Sequence, residues 1–461
     1  MIVKILKNYI EKLNKISVFL YGYFILGALL SIFIGSNSKL SFLPILSFIL
    51  FLIIFTFSET KFSLTEDFSV TKCIYFLSFI NIFIFLTGKI ENESQFFLTL
   101  KNYIGFNSKI IFLIINGLII ILSFNKKIKI LTIAYLIVFI LFSLIVPFLY
   151  PDPFIDLFII LKQSINDLLH LKNPYERVYT DIYNGTYNYA YGKQDIKLVY
   201  WPINIYLLTP FQVFFGDLRY GNIFYLISGC LILFFGLKKD LKILSISILL
   251  VFTCPYTFYM IKYAWIDSLS FPFFCLFFIS IIYRKKALGF IFLGIIMSMK
   301  LYFLPLLPLV VLYYHKEFSI GDYFKYMSLT FLSFFICFLP FLIIDNKSLL
   351  YSIDYFNISN PRYDALSITG YLFKKGINIS DFANYLILAV LGIIYFMFYK
   401  NKSYTPFSLI KYFILLLFII FILSKQAFGN YYYNIILLSI CYIVIYIFTF
   451  KEKSKILSHG V

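Results

Sequence analysis

Apolar runs of about 17–25 residues recur along almost the whole chain, separated by short lysine-rich links. An α-helix rises about 1.5 Å per residue, so a run of that length crosses a hydrocarbon core about 30 Å thick. Inside such a core each backbone N–H and C=O must find its partner within the protein, which favours helices. Of the 461 residues, 61% are hydrophobic and only 13% are charged. A water-soluble protein cannot bury that much apolar surface, because its outer shell needs polar cover. The chain is therefore expected to be all-α: a polytopic transmembrane helical bundle.

The runs place spans at roughly 16–35, 41–57, 73–88, 110–125, 130–150, 219–237, 243–260, 267–283, 287–299, 301–314, 323–345, 382–399, 406–424 and 431–450. The two around Lys300 are the shortest and suit broken or tilted helices lining a cavity. Lys4, Lys7, Lys12 and Lys15 precede the first run, with no small-residue cleavage site after it. That pattern predicts a retained first span and a cytoplasmic N-terminus. Alternate links then carry Lys126-Lys127, Lys238-Lys239, Arg284-Lys285-Lys286, Lys400 and Lys451-Lys453-Lys455, all on the cytoplasmic side. This agreement requires that Trp201–Phe215 not cross the bilayer but lie in, or re-enter, the outer interface. Two regions, 151–218 and 346–381, are then expected to face outward, with Asp267 and Lys300 near the same side.

The formal charge of +18 sits in the inter-span links, where lysines orient helices and meet anionic lipid. No basic stripe on a soluble face points to nucleic acid. The abundance of Phe, Tyr, Ile, Lys and Asn fits codon bias and argues for no activity. The six cysteines lie in apolar runs without a CxxC spacing, and His170, His315 and His459 are scattered. The sequence thus gives no support to a histidine-based metal site.

The chemistry-bearing residues gather in the outer regions. Asp152 and Asp156 follow the fifth apolar run in Tyr150-Pro151-Asp152-Pro153-Phe154-Ile155-Asp156. On a helix they would share a face, with Asp152 as N-cap and Pro153 in the first turn. A carboxylate at the membrane edge is costly unless used, so Asp156 is the candidate general base. Lys300 interrupts Met297-Ser298-Met299-Lys300-Leu301-Tyr302. It either holds a lipid phosphate as a point charge or snorkels as a link lysine. Arg362 either binds phosphate bidentately or sits on the surface. Asp267 beside Trp265 suits a helix cap, and Asp217 with Arg219 suits an ion pair closing a turn.

An Asp just outside a span, then Asn173-Pro174-Tyr175, then Tyr200-Trp201-Pro202, resembles the GT-C superfamily of integral-membrane glycosyltransferases. The likeness is nearest to the family 87 type, the polyprenol-phosphate-mannose-dependent group, with Trp201 in place of the usual first proline. Phe215-Gly216-Asp217-Leu218-Arg219-Tyr220 and Arg362-Tyr363-Asp364-Ala365-Leu366-Ser367 look like recurrent stretches of such enzymes. The resemblance covers roughly 130–430. It divides the chain into N-terminal spans without motif (1–129), a GT-C-like catalytic region (130–450) with interfacial helices in its outer loop, and a basic cytoplasmic tail (451–461).

The resemblance implies a hexosyltransferase, with mannose as a candidate sugar, of a bacterial or archaeal plasma membrane. The sugar would pass from a polyprenyl-phosphate donor to a glycan, lipid or protein acceptor on the extracytoplasmic face. It implies Asp156 as base and Lys300 and Arg362 as phosphate holders. Asp152, Tyr175, Trp201, Asp267 and Tyr302 are the further substrate-binding candidates. Some relatives use a divalent metal, for which Asp152 and Asp156 are the available oxygen ligands. The alternatives are a flippase or transporter of lipid-linked sugars, and a polysaccharide polymerase or ligase.

Overall fold

The computed structural model describes residues 143–191, 196–401 and 404–458, together with Ile137, Ile140 and Leu141. The expected spans at 16–35, 41–57, 73–88 and 110–125, and the first part of 130–150, lie outside the described residues. Among the described residues the fold is all-α. The one departure is an isolated antiparallel bridge between Tyr179 and Ile196 in the outer region. Among the described residues four helices are long and apolar enough to cross a membrane: Arg219–Gly236, Ser380–Tyr399, Pro406–Leu423 and the Gly429–Thr449 part of Gly429–Ser458. The protein is a polytopic helical membrane protein.

The expected span 243–260 is a helix pair, Ile243–Phe252 and Tyr256–Lys262, bent by 70°. Pro255 causes the bend: it lacks an N–H and drives Cys254 out of the helical region to φ −65°, ψ 116°. In a straight helix the Val251 carbonyl would accept from residue 255, which has no proton to give. The Thr257 hydroxyl donates to that carbonyl instead, at 2.6 Å.

Other runs are short or divided. Ile266–Ser270 is a 3₁₀ turn leading into Phe271–Ile282, and Lys286–Met297 has 12 residues, about 18 Å of helix. The run 323–345 is divided into Ile320–Phe335 and Leu339–Ile344, with Pro340 in the first turn of the second piece. Pro202–Phe215 has 14 residues, about 21 Å, which is less than a ~30 Å core.

The main core is built by Arg219–Gly236, Phe271–Ile282, Pro406–Leu423 and the last helix. Close approach helps: Thr330 Oγ1 donates to the Phe290 carbonyl at 3.1 Å, and Gly294 leaves room for the Thr330 backbone. The outer region has a second apolar cluster, in which Asp156–Leu169 packs on Pro202–Phe215 around Tyr175, Tyr179 and Trp201. Phe324, Phe331, Leu332 and Phe335 of Ile320–Phe335 are exposed, which suits a lipid-facing surface.

Arg219 pins the outer region to the bundle. Its side chain is fully buried and pairs with Asp217 at 2.5 Å. It also donates to the carbonyls of Tyr150 at 2.6 Å and Pro147 at 3.1 Å. The expected turn-closing pair is present, and it additionally holds the segment that leads to Asp156.

Candidate functional site

A cavity of about 820 Å³ is lined by Asp156, Trp201, Lys300, Tyr302 and Arg362. Its apolar wall comes from Leu301, Ile387, Leu388, Leu391 and Ile420. The size and mixed lining are those of a ligand site. Residues from the first outer region, the break at Lys300, the second outer region and the start of the last helix thus meet around one space.

Asp156 opens the helix Asp156–Leu169, where the helix dipole favours negative charge. Its Oδ1 accepts from the Leu157 N–H at 2.7 Å and from the Tyr183 hydroxyl at a long 3.4 Å. Burial pushes its carboxyl pKa above the ordinary value. The Leu157 N–H, the charge of Arg362 and the Tyr183 hydroxyl oppose that rise without cancelling it. Such a carboxylate is a stronger base than an exposed one. Burial also raises the Tyr183 phenol, which therefore stays protonated and able to donate.

Arg362 grips a carboxylate of its own chain. Nε donates to Asp364 Oδ1 at 2.8 Å and Nη2 to Asp364 Oδ2 at 2.5 Å. The guanidinium lies 3.8 Å from the centre of the Tyr187 ring and 4.6 Å from that of Phe428. Next to it the two outer regions clasp. Tyr189 stacks on Tyr363 with ring centres 4.1 Å apart, and Tyr363 stacks on Phe373 at 5.1 Å. The Tyr189 hydroxyl accepts from the Tyr363 N–H at 3.0 Å, and Asn360 donates to the Tyr189 carbonyl at 3.1 Å.

Lys300 has extended backbone, φ −156° and ψ 145°, between Lys286–Met297 and the 3₁₀ turn Leu301–Phe303. Its Nζ donates to Asp267 Oδ1 at 2.9 Å, and the Tyr431 ring lies 4.6 Å from it. The Tyr302 hydroxyl donates to the same carboxylate oxygen. Asn434 reaches Oδ1 at 2.9 Å, and Asn430 reaches Oδ2 at 2.7 Å. Asn204 of Pro202–Phe215 donates to the Met299 carbonyl at 3.0 Å, holding the break in place.

Three of the eight candidates are not brought to the cavity. Asp152 is exposed in irregular chain before the helix, whose N-cap is Ile155; the segment does not form the helical face that Asp152 and Asp156 were expected to share. Asp152 outside the cavity and Asp156 on its wall do not fit a two-carboxylate metal ligand set. Tyr175 is buried in the outer apolar cluster, with its hydroxyl donated to the Tyr200 carbonyl at 2.8 Å. Asp267 is enclosed and makes no side-chain helix cap. It serves Lys300 instead.

The cavity also contains residues the sequence did not single out: Tyr183, Tyr187, Asp364, Lys197, Lys425 and Asn430. Lys425 could have been noticed as a cation between two apolar runs, as Lys300 was. Tyrosine and asparagine are too common in this chain to stand out.

No family model, curated protein or solved structure matches the chain.

Proposed function

We propose that the protein is a membrane glycosyltransferase moving a hexose such as mannose from a polyprenyl-phosphate donor to an acceptor hydroxyl on the extracytoplasmic face. The observation that carries this reading is a burial-raised carboxylate, Asp156, sharing one cavity with the Lys300 ammonium and an apolar wall. Asp156 takes the acceptor hydroxyl proton. The acceptor oxygen forms a bond to the anomeric carbon as the bond from that carbon to the donor phosphate oxygen breaks. The phosphate leaves on the polyprenol, with its charge met by Lys300 and, in part, by Arg362. One carboxylate acting without a covalent intermediate gives inversion, by analogy with single-displacement glycoside chemistry. The apolar wall suits a prenyl chain, and Trp201 and Tyr302 supply ring faces and edges for a sugar.

The test is purified protein in vesicles, given a panel of labelled polyprenyl-phosphate sugars and acceptor glycans, lipids and peptides, with products read by mass spectrometry. Transfer that Asp156→Asn abolishes supports the proposal. Transbilayer movement of donor without product favours a flippase, and a ladder of product lengths favours a polymerase.

A further inference from the structure

The Asp267 carboxylate is spent on its own protein. A carboxylate offers about four lone-pair sites. Oδ1 accepts from Lys300, Tyr302 and Asn434, and Oδ2 accepts from Asn430. Asn434 is itself oriented, because its Oδ1 accepts from Ser270 Oγ at 2.8 Å. Four donors meet it and the side chain is fully enclosed, so it is out of a ligand's reach. Lys300 differs: it stays on the cavity wall with its side chain 14% exposed. An ammonium has three N–H bonds, and among the described residues Asp267 is its one ion-pair partner. A lysine head on a flexible stem needs such an anchor to present its charge at one point.

We infer that Asp267 is a positioning residue that holds the Lys300 ammonium at the cavity wall, and that Asn430 and Asn434 of the last helix hold Asp267. The ligand class is a phosphate ester. This inference rests on the proposed function for the prenyl chain, and on the Lys300 geometry alone for the anion.

The test uses the full chain in nanodiscs and measures binding of a short-chain polyprenyl phosphate, the matching polyprenol and inorganic phosphate. Lys300→Gln and Asp267→Asn should each weaken the phosphate lipid about tenfold, the size of one hydrogen bond to a charged group. Both should leave the polyprenol unchanged. The double variant should be no weaker than Lys300→Gln alone. Asn430→Ala keeps the ion pair and should give a smaller loss of the same kind. It decides the matter if Asp267→Asn does not fold. A loss shared by the polyprenol, or additive losses in the double variant, overturns the inference. Inorganic phosphate binding with the same dependence supports it and identifies a free anion rather than a lipid headgroup as occupant. Lys300-dependent binding without any sugar transfer supports it while overturning the glycosyltransferase reading.

Discussion

Lys300 Nζ donates to Asp267 Oδ1 across 2.9 Å, joining two breaks between short helices that lie 33 positions apart in the chain. Neither charge would be stable alone at such a depth, since a buried ion needs a partner and further hydrogen bonds. Lys300→Gln leaves Asp267 with the donors of Tyr302, Asn430 and Asn434. Its cost should therefore be about 3 kcal/mol, the low end for breaking a buried pair. Thermal unfolding in detergent checks this.

Asp156→Asn should lower transfer by about 10²–10⁴-fold, the contribution of a general base. Donor binding should change little. Tyr183→Phe removes the long 3.4 Å hydrogen bond to the Asp156 carboxylate and the 3.3 Å one from the Asp156 N–H, but leaves the carboxylate in place and should have a far smaller effect on rate. Equal losses from the two variants would count against Asp156 as the proton acceptor.

The pH profile follows from the burial that raises Asp156. A base works as its carboxylate, so activity is present above its pKa and lost as pH falls through it. That limb should lie above the ordinary aspartate value of about 3.9. Arg362 favours the charged form, so Arg362→Gln should move the limb to still higher pH. A limb that stays put or moves down would remove Asp156 from the profile.

Asp217→Asn leaves the fully buried Arg219 without its counter-charge, facing backbone carbonyls and the Phe158 ring. The expected loss is about 3–5 kcal/mol. It should appear as a lower midpoint of thermal unfolding.

Gly294 lies where Lys286–Met297 meets Ile320–Phe335, and a Cβ there would overlap Ser333 Oγ and the Thr330 carbonyl. The backbone atom cannot swing aside as a side chain can. Gly294→Val should cost about 1–3 kcal/mol by overpacking. Gly392 has open space around it, so Gly392→Ala in an exposed helix serves as the control and should not destabilise.

The sequence announced the long spans plainly. Arg219–Gly236, Ser380–Tyr399, Pro406–Leu423 and Gly429–Thr449 are nearly unbroken apolar runs, and composition suffices to find them. It overstated the shorter ones, because Pro255 and Pro340 interrupt runs that average as continuous. Asp156, Lys300 and Arg362 were legible as rare charges beside apolar chain. The role of Asp267 was not, since its partners Asn430 and Asn434 lie 163 and 167 positions away. Tyr175 shows the opposite error. Its Asn-Pro-Tyr setting suggested a ligand contact, whereas its hydroxyl ties off the Tyr200 carbonyl.

The Tyr189–Tyr363–Phe373 stack fastens one outer segment to another through rings and side-chain hydrogen bonds. Such a seam contributes only about 0.5–1.5 kcal/mol per ring pair beyond the area it covers. Parting it breaks no backbone hydrogen bond within the described spanning helices. The join between segments 151–218 and 346–381, next to the cavity residues Tyr187 and Arg362, is thus a place where this molecule can part at small cost while the described spanning helices stay as they are.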